Sequence, residues 1–305
     1  MSLYAPPQDV QTEVLFRLPD EFRDKRRTDW SIYNKGGEAA DCFLEGPSFD
    51  RAGNLYLVDI PFGRIFRVSP AGDWTLVKQY DGWPNGLKIH RDGSLWIADY
   101  RHGILKLDPE SGAMETIVGH VHSEGLKGCN DLVFASNGDL YFTDQGQTGL
   151  HDPTGRVFRR TADGRLDCLI DTVPSPNGLV LNAAETQLFV GVTRANAVWR
   201  LPLHASGGTS KVGMFVQLSG GTGPDGLAMG SGDELAVCHV GLGSVWVFNR
   251  LGEPMYRVRS CRGLLTTNLA FGGPDGQILH IVESDTGCVL GARLPLAGQR
   301  LYGQS

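Results

Sequence analysis

The chain has 305 residues, 41% of them hydrophobic, which is enough to bury a large core. Its formal net charge of -6 argues against nucleic acid as a partner. No run of eighteen apolar residues occurs, and the opening MSLYAPPQDVQTEV lacks a basic region followed by an apolar one, so no membrane span or export signal is expected and the chain reads as cytoplasmic. Gly 41 and Pro 16 fit many short strands joined by tight turns, with little helix. The six cysteines show no C-x-x-C spacing and are read as small buried hydrophobes in a reducing compartment.

In chain order, TEVLFRL at 12–18 reads as a free strand standing before any repeat. Residues 19–42, rich in charge, follow with no periodic pattern. From there a unit recurs six times. Each opens on an oxygen-bearing side chain (Glu45, Asn85, Asn130, Asn177, Asp225, Asn268), ten or eleven positions before a Leu that begins a strand pattern. Those leucines, Leu55, Leu95, Leu140, Leu188, Leu235 and Leu279, are separated by 40, 45, 48, 47 and 44 residues. A strand-built repeat with a period in the forties marks a propeller blade.

Second strands are legible as NLYLVD, SLWIAD, DLYFTD, QLFVGV, ELAVCH and ILHIVE, and third strands as RIFRVS, GILKLD, RVFRR, AVWRLPL, SVWVF and CVLGARL. Fourth strands such as WTLVKQY complete most units. The expectation is one all-β domain, a six-bladed β-propeller with four-stranded blades over residues 43–300. The last unit runs out of chain, so the strand at 12–18 is expected to complete it and close the ring.

Strand direction brings the six phased residues and the loops after the second strands to one mouth. An Asn-Gly or Asp-Gly pair by itself is turn chemistry. Glu45-Gly-Pro and Asn130-Asp do not suit turns, however, and the common phase favours a ring of oxygen ligands on the axis. Glu45 and Asp225 bring two negative charges and Asn130 and Asn177 neutral carbonyls, a set that one divalent cation would balance. Asn85 and Asn268 add no charge; they touch substrate or bond neighbouring backbone. Asp59, Asp99, Asp144, His239 and Glu283 each end a second strand. Asp59, Asp99 and Asp144 are expected to accept loop hydrogen bonds, and His239 to contact substrate or transfer a proton. Arg101, His102, Gln145, His151 and Arg194 lie in the adjoining loops, and the long loop DQGQTGLHDPTG at 144–155 could wall the mouth. No G-x-S-x-G or H-E-x-x-H pattern occurs, which leaves serine-hydrolase and zincin chemistry without support.

The motifs EGPSFD at 45–50, CNDLVF at 129–134, SPNGLVL at 175–181, GPDGLAM at 223–229 and TTNLAFGG at 266–273 resemble the gluconolactonase, or senescence marker protein (regucalcin-like), family of six-bladed propellers. The resemblance implies a lactonase holding one divalent cation on Glu45, Asn130, Asn177 and Asp225. Calcium is the first choice, with zinc, manganese, magnesium or iron(II) as alternatives. It implies Asp225 as the base and a small lactone as substrate. From their positions at the mouth, Asn85, His239, Arg101, Gln145 and Asn268 are the candidate substrate contacts. Sugar-lactone members carry an Arg two positions before the third-blade Asn, where this chain has Gly128. Together with Phe62, Trp83 and Cys129, that departure points to a less polar mouth and a smaller or more aliphatic lactone, with Arg101 or Arg194 available for a carboxylate. A monomer or small homo-oligomer is expected. A non-catalytic binding propeller, or an arylesterase-like hydrolase with two calcium ions, remains as the alternative.

Overall fold

A computed structural model describes residues 5–304. Six antiparallel sheets stand around a central axis as the blades of a propeller. The inner strands are Leu44–Phe49, Pro84–Ile89, Cys129–Phe134, Pro176–Leu181, Gly223–Met229 and Thr266–Gly272. Turn chemistry sets each hairpin. In blade 2, Gly93 adopts a left-handed φ of 89° and its N–H donates to the His90 carbonyl at 2.9 Å, while Asp92 Oδ1 accepts from Ser94 N at 2.9 Å.

The second strands of blades 1 to 3, Leu55–Asp59, Leu95–Asp99 and Leu140–Asp144, are buried along their whole length. Both faces of such a strand meet a neighbouring blade, so alternation gives way to continuous apolar runs. Between blades 1 and 2, for instance, Val58, Ile65, Leu87, Ile97 and Leu107 pack at 0% exposure. Fully burying one such side chain is worth about 1.5–3 kcal/mol.

The ring closes as the sequence predicts. Glu13–Arg17 pairs antiparallel with Cys288–Arg293 and supplies the fourth strand of blade 6. Gln8–Gln11 was not anticipated; it pairs parallel with Pro254–Arg259 and gives blade 5 a fifth strand. Asp9 binds Arg257 at 2.7 Å and Arg259 at 3.1 Å across that edge.

Two connections close the ends of the axis. The segment after the closing strand contains a six-residue helix, Asp29–Asn34, with a Thr28/Ser31 capping box. Its Trp30 packs on Phe43 at 4.8 Å between ring centroids. At the opposite end the C-terminal stretch bonds to blade 5 through Ser231 N to Ala297 O (2.8 Å) and Gln299 N to Met229 O (2.8 Å). It then sets Tyr302 against Phe134 and His90, with centroids 5.2 and 5.1 Å away. Of the cysteines, Cys42, Cys129, Cys238 and Cys288 are buried as expected, but Cys168 and Cys261 are exposed. No helix among the described residues is long and apolar enough to cross a membrane.

Candidate active site and metal centre

Every inner strand carries a register irregularity at the phased residue: between Glu45 and Ser48, Pro84 and Gly86, Cys129 and Leu132, Pro176 and Leu179, Pro224 and Leu227, and Thr266 and Asn268. A bulge re-aims a side chain out of the sheet's alternation. Five of the six phased residues, Glu45, Asn85, Asn130, Asn177 and Asp225, line one axial cavity of about 410 Å³. Trp30, Phe43, Ile60, Val240 and Leu265 supply apolar wall.

Asn268 does not belong to that ring. Phe271 pairs with Leu279 as Phe49 pairs with Leu55 and Met229 with Leu235. Counting back four positions from those partners gives Glu45, Asp225 and Thr267. The turn before Leu279 is longer than its counterparts, so spacing from the leucine mis-phased blade 6 by one residue. Asn268 sits one step deeper, buried, with Oδ1 accepting the Leu269 N–H at 2.8 Å. It covers Gly226, where a Cβ would lie 2.3 Å from Asn268 Oδ1. Asp131 occupies the equivalent depth in blade 3, a third axial carboxylate that sequence reasoning missed. Lys88 Nζ lies 3.6 Å from its Oδ1.

The amides are oriented by hydrogen bonds. Asn130 Nδ2 donates to Gln145 Oε1 at 3.0 Å, and Asn177 Nδ2 to Thr193 Oγ1 at 3.1 Å. The Asn177 amide also donates to the Asp225 carboxylate, so among the described residues the two amide nitrogens are engaged and the side-chain oxygens are the atoms left for a ligand. Gln145 Nε2 in turn donates to Ser175 Oγ at 3.0 Å, so Gln145 positions Asn130 and has little left for substrate. Asn85 lines the cavity with no side-chain hydrogen bond among the described residues.

The two carboxylates burden each other. Burial pushes Glu45 up to about 7, the nearby Asp131 charge adding to it against hydrogen bonds from Thr267, Gly46 and Asn268. Burial, then the charges of Glu45 and Asp131, raise Asp225 well above the usual carboxylate range, with Asn177 and Arg194 opposing. A divalent cation among these groups would remove that cost, and the set of two carboxylates and two carbonyl oxygens suits one. No three His, Cys, Asp or Glu side chains cluster for a metal among the described residues, which is what a site half built from amides entails.

His239 is corrected. It is 1% exposed, its Nε2 2.9 Å from the Gly220 carbonyl and its Nδ1 accepting from Trp246 Nε1 at 3.2 Å, so both ring nitrogens are used inside blade 5. Arg101 stands outside the cavity, bound to Asp81 at 2.5 Å and stacked over Trp83. The strand-end acids accept loop bonds: Asp59 from Phe43 N (2.7 Å), Asp99 from Arg101 N (2.8 Å), Asp144 from Gly128 N (2.8 Å) and Glu283 from Leu265 N (3.1 Å). Phe62, Trp83 and Cys129 do not line the cavity. Gly128 has its own reason: at φ 147° its Cβ would lie 2.7 Å from the Tyr100 ring, which fills the place a longer side chain would take. The helix residue Trp30, with Asn34 and Lys35, reaches the cavity from a segment that carried no pattern in sequence.

Fold and cavity together define a six-bladed β-propeller with an oxygen-lined axial site. The family model for the SMP-30/Gluconolactonase/LRE-like region matches residues 43–285, and the chain belongs to this family. Lactonase drp35 of Staphylococcus aureus (strain MRSA252) is 33% identical over 229 residues, covering 70% of this chain and 69% of the relative. Lactonase drp35 of Staphylococcus epidermidis (strain ATCC 12228 / FDA PCI 1200) is 32% identical over 227 residues, with the same coverage of 70% and 69%. Among solved structures, a regucalcin of Agrobacterium tumefaciens, described as a calcium-binding protein, matches with a TM-score of 0.77 at 20% identity, over 96% of this chain and 98% of that one. A gluconolactonase of Xanthomonas campestris matches with a TM-score of 0.75 at 21% identity, over 93% and 99%. At those identities the structural likeness shows the fold.

Proposed function

We propose that the axial site hydrolyses a small lactone, with Glu45, Asn130, Asn177 and Asp225 holding one divalent cation and Asp225 serving as base. The class, a hydrolase acting on a carboxylic ester bond, follows from the family and its lactonase relatives. One observation carries the site: Glu45 and Asp225, two carboxylates that burial and neighbouring charge push toward the neutral form, line one cavity with the side chains of Asn85, Asn130 and Asn177. An all-oxygen set with only two formal charges favours calcium over softer ions.

The bound cation would supply Lewis acidity toward the lactone carbonyl. Glu45 is suited to holding, because Oε2 already accepts from Gly46 N at 2.9 Å and Thr267 and Asn268 also bond it. Asp225 accepts from Asn177 and lines the cavity, where it can meet water. Water attacks the carbonyl carbon as Asp225 takes its proton. The tetrahedral oxyanion then collapses with cleavage of the ring C–O bond, and Asp225 returns the proton to the departing alkoxide, giving a hydroxy acid. Asn85, which lines the cavity, would donate to a ring substituent. The apolar wall of Trp30, Phe43 and Ile60 limits water around the lactone. The cavity, about 410 Å³, admits a five- or six-membered lactone.

Acid release from a panel of sugar-acid and aliphatic γ-lactones, followed with a pH indicator, tests this reading. Hydrolysis should stop in chelator and return with calcium or another divalent ion. Unchanged rates after exhaustive chelation would refute the metal role, and no hydrolysis across the panel with each ion would refute the lactonase role.

A further inference from the structure

On its blade 3 and blade 4 side the axial cavity continues into a second compartment of about 520 Å³, with Asn34, Gln145, Ser175 and Arg194 lining both. Its floor is the long loop after the second strand of blade 3, and that loop is internally braced. Gly149 and Asp152 exchange backbone bonds at 3.0 Å, and Thr148 Oγ1 donates to the Gln145 carbonyl at 2.6 Å while accepting from Ser175 N at 3.1 Å. The compartment is therefore built into the scaffold and shares residues with the catalytic ring.

Its electrostatics are opposite to those of the ring. In a chain of net charge -6, no carboxylate lines this compartment, and its one fixed charge is Arg194. Other cations at the mouth are committed: Lys35 to Asp285 at 3.4 Å and over the Phe43 ring, Arg101 to Asp81 at 2.5 Å. Arg194 has no ion pair among the described residues, although its field reaches Asp225. Its stem runs along the braced loop, where a Cβ on Gly149 would lie 3.6 Å from Arg194 Cγ. Arg194 is exposed, and its guanidinium, unpaired among the described residues, offers a planar fork of donors that matches a carboxylate.

We propose that the side compartment receives an anionic arm of the substrate, a carboxylate on a short chain from the lactone ring, with Arg194 as its partner. The proposal rests on the lactonase reading for the position of the ring. Arg194 then selects among lactones, leaving bond cleavage to the axial groups, and the arm passes Gln145 and Ser175 on its way out of the ring.

The test compares a γ-lactone bearing a carboxymethyl group with the N-methylamide of the same compound, using the full chain with its divalent ion. The acid should have a kcat/KM about tenfold higher, equivalent to about 1.4 kcal/mol. That ratio should drop to about one in Arg194→Gln, be partly kept in Arg194→Lys, and shrink near 1 M salt, where the screening length is about 3 Å. Because a ratio is read, a general loss of activity in the variant does not imitate the effect. A wild-type ratio near one, or a ratio unchanged by Arg194→Gln, would overturn the proposal. If neither lactone is hydrolysed, the lactonase reading has failed, and calorimetry decides the compartment separately. Tighter binding of the ring-opened dicarboxylate than of its monoamide, lost in Arg194→Gln, supports it; equal binding in the wild type overturns it.

Discussion

Stripping divalent ions should make stability depend on pH in a way that Glu45 controls. In the folded, ion-free chain burial raises the Glu45 carboxyl from 4.5 to about 7. That difference of about 2.5 units corresponds to about 3 kcal/mol at about 1.36 kcal/mol per unit. The folded state prefers the neutral acid, whereas the unfolded chain ionises near 4.5. The contribution is thus complete below about 4.5 and lost as pH rises through about 7. Asp225, raised for the same reasons, moves stability in the same direction. A cation bound at the proposed site would balance both carboxylates and cancel the loss, so the stability gap between calcium-loaded and chelated protein should widen from pH 5 to pH 8 by about 2–3 kcal/mol. Urea unfolding in calcium and in chelator at the two pH values measures the gap, and Glu45→Gln in chelator should lose most of the pH slope. Equal slopes for the chelated wild type and Glu45→Gln would show that Glu45 is not the source of the pH dependence.

Asp225→Asn should lower acid release from any lactone the enzyme accepts by about 10²-fold or more, since it removes a proton acceptor and a charged ligand together; pH-stat rates at saturating calcium check this. Gly178→Ala should destabilise by about 1–3 kcal/mol, because the new Cβ would meet the Asp225 carbonyl at 2.5 Å and force neighbouring inner strands apart; denaturant midpoints report it, and a neutral result would refute the close packing at the axis. Tyr302→Ala should cost about 1–2 kcal/mol through lost stacking on Phe134, His90 and Arg91, whose guanidinium lies 4.4 Å from the ring centroid. Thermal melting measures that loss, and an unchanged midpoint would mean the C-terminal stretch adds nothing to the closed end of the axis.

In the proposed ion site, half the residues are amides, and the charge they would share gives the reason. Asp131 already places a third carboxylate within the field of Glu45 and Asp225, with Lys88 3.6 Å away as its counter-ion. Carboxylates in place of Asn130 and Asn177 would add repulsion that one divalent ion could not offset. An arylesterase-like site with two calcium ions would need a second set of acidic ligands; the structure adds one axial acid, Asp131, and it is paired with an ammonium group.

The sequence alone determined the blade count, the strands within the repeats and five members of the axial ring, because a repeat stamps the same period on turns, strands and bulges, and each is a local property of the chain. The closing strand at Glu13–Arg17 was legible for the related reason that the last repeat lacks an outer strand. Tertiary structure alone decided the rest. Asn268 lost its place to Thr267 because strand pairing, and not distance along the chain, sets depth on the axis. His239 was claimed by Trp246 and the Gly220 carbonyl, partners that only the folded blade brings together. Trp30, Asn34 and Lys35 reach the mouth from a segment without periodicity, since a connection that crosses the ring is held by contacts distant in sequence.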